Sequence, residues 1–369
     1  MSVKLILSIY FFSFFLALLD FSNVKLAERL KKGIFDFCCL ILILVSMSKS
    51  AATSFDTNNY VNYFINDAGS ITNFHFLWYG WEPGYVLLNS FVKTFTSNYH
   101  IFFGILTSIV LLLYRAIIFR YSKHIFLSLF TYVACFYFLN EIIILRFGLA
   151  SAIVFFNVHN IVQGKLKKAT LIVILATMFH YTALVALIPV LLYRRTVSKK
   201  WCTICIIWFV FFSMFFLIIP PISLIAQIAG VVNSNFADIL QRLLRYQSIE
   251  SEAGLKRVVL YLPFLILLVL NFFNFFVYVT KEQRDILFIQ ILYLLTSVFL
   301  MITCRQVASM ARLNAIFLPI NIVAGENTLH PTRQRDPLKE FYLFWVFILN
   351  TYIFFRSVFF NSGGHIEFL

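Results

Sequence analysis

Long apolar runs, each ending at a charged or polar cluster, follow one another along almost the whole chain. A helix needs about 20 apolar residues, within a range of roughly 17 to 25, to cross the hydrocarbon of a bilayer. On that measure spans are predicted near 3–19, 34–48, 99–119, 124–140, 142–162, 201–219, 257–279, 285–303, 307–324 and 341–360. The expected fold class is an all-α polytopic membrane protein of about ten transmembrane helices, forming a single integral membrane domain over 1–369. Two longer stretches, 49–98 and 220–256, read as loops on one face.

The run 169–192 does not fit a simple crossing. Lys167 and Lys168 precede it and Arg194 and Arg195 follow it, so a crossing would carry one basic cluster to the wrong side. His180 sits at its middle, in Met178-Phe179-His180-Tyr181-Thr182, and each half is about 12 residues, too short to cross. The pattern predicts a broken or re-entrant helical hairpin with His180 near its apex. Non-helical backbone at that depth has to be buried in protein or to line a watery cavity.

Composition agrees with the pattern. Hydrophobic residues make up 61% of the chain and charged residues 12%. A soluble domain is about half apolar and a quarter charged. The net charge of +14 would suggest nucleic acid in a soluble protein, but here the basic residues fall in short clusters between apolar runs. They include Lys25 to Lys32, Arg115 to Lys123, Lys165 to Lys168, Arg194 to Lys200, Lys281 and Arg284, and Arg333 to Lys339. The positive-inside rule places them in the cytoplasm, with both termini and both long loops outside, and no nucleic acid is expected as a partner. The segment Met1–Leu19 carries one Lys and lacks a small-residue cleavage site, so it reads as an uncleaved first span. The six cysteines lie in or beside apolar runs and read as buried thiols, with neither a disulfide framework nor a metal site expected.

Charge beyond those clusters is where chemistry is sought, because ionisable groups at membrane depth are costly. Arg146 opens one span, Arg305 and Arg312 bracket the start of another, and Arg242 and Arg245 lie in the second outer loop. Taken singly, such arginines can snorkel or pair with acids. Several of them opposite the cytoplasmic clusters point to an outward-facing anion site, and the planar guanidinium suits phosphate. A diphosphate leaving group needs that neutralisation as its bond breaks. The sequence contains no Asp-x-Asp pair to hold a metal for the purpose. His180 is either a structural histidine in a helix break or a group that touches phosphate or moves a proton. Asp56, Glu82 and Glu141 are the outer-face carboxylates able to serve as base or to balance an arginine. Tyr60 lies in the same first loop, where Trp78, Tyr79 and Trp81 read as interfacial belt or as sugar platform.

Five pieces in this order resemble the EpsG and Wzy-type polysaccharide polymerases of bacterial surface glycan assembly. They are Asp56-Thr-Asn-Asn-Tyr60, Glu82-Pro83-Gly84-Tyr85, Arg146-Phe-Gly-Leu-Ala150, Phe179-His180-Tyr181-Thr182-Ala183 and Ala311-Arg312-Leu-Asn-Ala315. The third is similar to the family's Arg-Gln-x-Leu-Ala motif, with Phe147 in place of Gln, and the fourth to its Phe-His-x-Ser-Ala motif. Asn314 and Ala315 depart from the late aromatic positions of the family. The resemblance implies a glycosyltransferase acting on undecaprenyl-diphosphate-linked oligosaccharide at the periplasmic face of the bacterial inner membrane, without cofactor or metal. It would move the growing glycan from its carrier to a new repeat unit, with lipid, a flippase and a chain-length regulator as partners. On that basis Arg146, His180, Arg305 and Arg312 are expected around the donor diphosphate, and Arg242 and Arg245 at its phosphate or sugar. Glu82 or Asp56 would orient the acceptor hydroxyl, and Tyr60 and Glu141 would line the substrate. A lipid-linked oligosaccharide flippase or other transporter, and a ligase-like glycan transferase, are the alternatives.

Overall fold

A helix that is apolar on every side has no aqueous face, so it must lie inside a protein or in lipid. The computed structural model describes residues 3–22, 26–73, 80–194, 196–218, 251–277, 279–304, 311–323, 337–356 and 358, and within them the elements are helical. Five helical stretches are long and apolar enough to cross a membrane: Tyr99–Tyr121, Ile125–Ile143, Leu145–Val162, Lys199–Ile218 and Lys281–Thr303. Shorter apolar helices run over Lys4–Leu19, Tyr181–Leu192, Tyr261–Asn274 and Phe344–Phe355. This is the architecture of a polytopic membrane protein.

In chain order, α1 (Val3–Leu19) and α2 (Glu28–Met47) are followed by the short α3 (Phe55–Asn62) and α4 (Pro83–Phe95). Next come α5 (Tyr99–Tyr121) and α6 (Ile125–Tyr132), which continues as a π-helix over Val133–Ile143, and then α7 (Leu145–Val162). After α8 (Leu166–Thr177), a 3₁₀ segment (Tyr181–Ala186) and α9 (Leu187–Leu192) lie α10 (Lys199–Ile218), α11 (Ser251–Phe275) and α12 (Lys281–Thr303). Last are α13 (Ala311–Ala315), a 3₁₀ turn (Leu318–Ile322) and α14 (Pro337–Phe355). Local chemistry sets several of these starts. Ser54 accepts from Thr57 N at the head of α3, Pro83 opens α4, Asn98 accepts from His100 N, and Thr280 with Gln283 forms a capping box on α12. Asp20 accepts from the Phe126 and Leu127 amides at 2.8 and 3.1 Å, tying the end of α1 to the free amides of α6.

α12 is the inner helix, with almost every side chain from Asp285 to Met301 buried, whereas α10 shows Ile207, Phe211, Met214 and Ile218 outward. Polar groups inside are spent between helices. Asn157 Nδ2 donates to Ala169 O at 2.8 Å, Ser297 Oγ to Asn314 O at 3.1 Å, and Asn350 Nδ2 to Thr131 Oγ1 at 2.9 Å. Such bonds contribute on average about 0.6 kcal/mol each in a membrane bundle.

Two sequence expectations meet the structure differently. The span expected at 307–324 is no continuous helix within 311–323, because α13 stops at Ala315. Pro319 lies four residues on, where its ring would clash with the Ala315 carbonyl and its missing N–H would break the ladder. The hairpin at 169–192 is present. Gly164, at φ +67°, turns the chain from α7 into α8, and helix stops at Thr177. Residues 178–180 reverse the direction, and α9 packs back beside α8. Tyr193 Oη then reaches Val162 O at 3.4 Å, so the segment enters and leaves at one end of the bundle. α8 is 12 residues long, about 18 Å at 1.5 Å per residue, well short of a hydrocarbon core about 30 Å thick.

Single cysteines at positions 168 and 196, in a background freed of native cysteines, should therefore react with an impermeant thiol reagent from the same side of sealed vesicles. Labelling from opposite sides would remove the hairpin.

Candidate functional site

The segment 178–180 comes to rest at the end of the bundle away from the basic clusters, where three other elements meet it. The first is the head of α4. Gly84 N donates to Met178 O at 2.7 Å, and a Cβ on residue 84 would lie 2.8 Å from that same oxygen, so only glycine allows this approach. The second is the head of α7. The π-helix before it ends at Ile143, Ile144 leaves helical geometry (φ −109°, ψ 60°), and Arg146 follows in the first turn of α7. Gly148 makes the tight return possible, since a Cβ there would lie 2.8 Å from Asn140 O. π-Helical turns of this kind are found disproportionately at functional sites. The third is α3, which carries Asp56 and Tyr60.

Arg146 is the centre of the arrangement. Its Nη1 donates to Glu82 Oε2, and the pair is mostly enclosed, with side chains 19% and 5% exposed. An aromatic box surrounds the guanidinium: its carbon is 4.5 Å from the centre of the Trp81 ring and 5.8 Å from those of Tyr60 and Tyr85. Cation–π contact of this kind strengthens as water is removed. Tyr85 stacks on Trp81 at 5.4 Å, and Tyr63 lies 4.9 Å from the same indole. Burial raises the Tyr60 hydroxyl above the ordinary tyrosine value, with Arg146 partly opposing it, so this group remains a neutral donor. Arg146 Nε is buried and has no hydrogen-bond partner among the described residues. A buried guanidinium donor without a partner calls for an explanation.

His180 is held rigidly. Its Nδ1 accepts from Thr182 N at 3.3 Å and lies 2.7 Å from Thr182 Oγ1, and its ring meets Phe147 edge-on at 5.5 Å. With Nδ1 accepting a backbone amide, the proton of the neutral ring sits on Nε2, which becomes a donor. Arg146 and Arg312 both lie within electrostatic reach of this ring. Arg312 Nη2 is 3.8 Å from Asp56 Oδ2, with both side chains substantially exposed (44% and 36%), a loose pair worth little by itself.

The structure thus brings Arg146, Glu82, Tyr60, His180, Arg312 and Asp56 together from five separated parts of the sequence. Glu141 does not join them: its side chain is fully buried in the π-helix, and the nearby cation is Lys49. Arg242, Arg245 and Arg305, expected to belong to the site, lie outside the described residues, as does Trp78. Sequence reasoning does not single out Tyr85 or Lys49 as site residues, nor the contact of Trp81 with Arg146. The indole is engaged by Arg146 and its tyrosine neighbours. The available signal is Lys49 itself, a lone cation at the end of an apolar run on the side otherwise poor in lysine.

What fold and site define is a polytopic membrane protein whose enclosed arginine–histidine cluster lies at the end opposite its basic loops. The chain belongs to the EpsG family, whose model matches residues 34–368. That membership supports a role of polysaccharide-polymerase type. The comparisons with curated proteins and with solved structures give no match.

Removing one member of a largely buried ion pair strands the other. Glu82→Ala should lower stability on the order of 3 kcal/mol, read as a lower thermal-aggregation midpoint in detergent. Adding Arg146→Ala should restore much of that loss. Equal midpoints for Glu82→Ala and the parent would mean that the pair carries no such coupling.

Proposed function

We propose that the protein polymerises undecaprenyl-diphosphate-linked oligosaccharide repeat units, acting as a glycosyltransferase at the periplasmic face of the bacterial inner membrane. The observation that carries this reading is Arg146: an enclosed guanidinium with an unused buried donor, flanked by His180 and Arg312. A site of that kind fits an anion that arrives from the lipid side carrying several oxygens. The orientation rests on the basic clusters, of which the described Arg115, Lys165 to Lys168, Arg194 and Arg284 lie at the other end of the bundle.

In the step proposed, the bond between the sugar anomeric carbon of the growing chain and the diphosphate oxygen breaks. Its electron pair leaves with undecaprenyl diphosphate. An acceptor hydroxyl at the nonreducing end of a new unit forms the new bond to that carbon and gives up its proton. Arg146, Arg312 and the His180 Nε2–H neutralise charge on the leaving diphosphate, a role in which one preorganised donor can contribute about 10²–10³ in rate. Arg305, Arg242 and Arg245 are the further cations proposed around donor phosphate and sugar. Glu82 is held by Arg146 and aims it. Asp56, about a third exposed and only loosely drawn to Arg312, suits the proton acceptor better. Tyr60 adds a neutral hydroxyl beside the guanidinium. The reading calls for a flippase to deliver the repeat units and leaves chain length to a separate regulator.

Purified protein mixed with lipid-linked repeat units should produce longer lipid-linked chains. Arg146→Ala and His180→Ala should each reduce that product at least about 100-fold, with the variants still in the membrane fraction at parental level. Translocation of the substrate without covalent change would replace the reading with transport, and parental chain-length ladders from both variants would remove these residues from the site.

A further inference from the structure

A lysine that is 1% exposed inside a membrane bundle is costly, and Lys49 has no place in the chemistry above. It follows the end of α2, and its Nζ donates to the backbone carbonyl of Glu141 at 2.6 Å. It also sits 4.0 Å from the centre of the Phe103 ring. That carbonyl belongs to the closing turn of the π-helix, where carbonyls have no partner within the helix and must find one elsewhere. Two neighbours perform the same task. Thr57 Oγ1, from the head of α3, donates to Ile142 O at 2.9 Å, and Ser46 Oγ approaches Glu141 O at 3.5 Å. Ser46 is itself fixed by Thr107 Oγ1 at 2.8 Å. Ile142 is followed directly by the turn at Ile143 and Ile144 that aims α7, and Arg146 lies five residues after Glu141.

Both side chains of the pair lie deep. Glu141 is fully buried, with the hydroxyls of Tyr132 on α6 and Tyr114 on α5 beside its carboxylate. The Lys49 amine can donate to the Glu141 carbonyl in either protonation state. Two buried ionisable side chains in a bundle call for a reason to be there other than stability.

We propose that Lys49 and Glu141 form a positioning pair: Lys49 clamps the last turn of the π-helix and thereby fixes the direction from which Arg146 meets a diphosphate. Lys49 touches the backbone, not the substrate. The inference rests on the polymerase reading of the Arg146 cluster and adds the device that aims it. Glu141, a substrate ligand by sequence pattern, becomes the internal counter-charge that lets Lys49 stay buried.

The experiment uses the full-length protein in detergent or nanodiscs, with four variants: Lys49→Met, Glu141→Gln, Lys49→Met/Glu141→Gln and Arg146→Ala. Thermal midpoint, kcat and KM for lipid-linked repeat units, and competition by inorganic pyrophosphate are read for each. Lys49→Met should lower the midpoint, because it strands Glu141. Per folded molecule it should also lower kcat/KM at least tenfold and weaken pyrophosphate competition by a similar factor. The double variant, neutral again, should regain most of the midpoint but neither kcat/KM nor pyrophosphate competition, because methionine cannot hold the Glu141 carbonyl. Recovery of both by the double variant would show a purely structural pair and overturn the proposal. Parental kcat/KM in Lys49→Met, with Arg146→Ala inactive, would overturn it too while leaving the polymerase reading standing. An active Arg146→Ala would instead remove the polymerase reading of the cluster, and the positioning role with it.

Discussion

Charge enters a lipid-embedded bundle only where something meets it, and the arrangement of this molecule follows from that cost. An isolated guanidinium or ammonium in a low-dielectric interior loses several kcal/mol of hydration even after the surroundings relax. Arg146 is met by Glu82 on one side and by the electron-rich faces of Trp81, Tyr60 and Tyr85 on others. Trp81, Glu82 and Tyr85 come from the head of α4 and Tyr60 from α3, so the stretch between α2 and α5 must fold back onto the head of α7, and the hairpin must reach the same place. The glycines at 84 and 148 serve this convergence, since both sit where another backbone passes too close for a Cβ.

Much of the fold is legible in the sequence because lipid imposes one rule on every span. Run length locates most of the helices, and the clash of basic flanks around 169–192 is enough by itself to require the hairpin. The late segment misleads for a physical reason: its composition is apolar enough for a span, but Pro319 divides it into pieces too short for one. The site is legible in part. Arg146, His180, Arg312, Asp56, Tyr60 and Glu82 stand out as chemistry at membrane depth, and they converge. Glu141 stands out by the same logic and does not join them, because periodicity places a residue along the chain but does not say which way a π-helix turns it. Lys49 stands out as a lone cation, but its role does not, for a related reason. Its value lies in a backbone carbonyl more than ninety residues away, and no local pattern announces such a contact.

The hairpin explains how a histidine can stand at a site that its own flanking residues never reach. A complete span would have carried Arg194 and Arg195 to the same end as Arg146, adding cations where anion chemistry is proposed and removing them from the opposite loops. Turning back at 178–180 delivers one imidazole and returns the basic flank to its origin. The Thr182 amide and hydroxyl then settle which ring nitrogen holds the proton, so the orientation of His180 is encoded two residues away.

The aromatic box has an implication for diversity. Trp81 spends its ring on Arg146 and on its tyrosine neighbours, and none of these contacts depends on what a sugar looks like. If the cluster grips the carrier and is indifferent to the cargo, monosaccharide discrimination has to be exercised by other surfaces. Those surfaces would then be free to drift from strain to strain, changing the glycan coat a cell displays while the machinery beneath it stays the same.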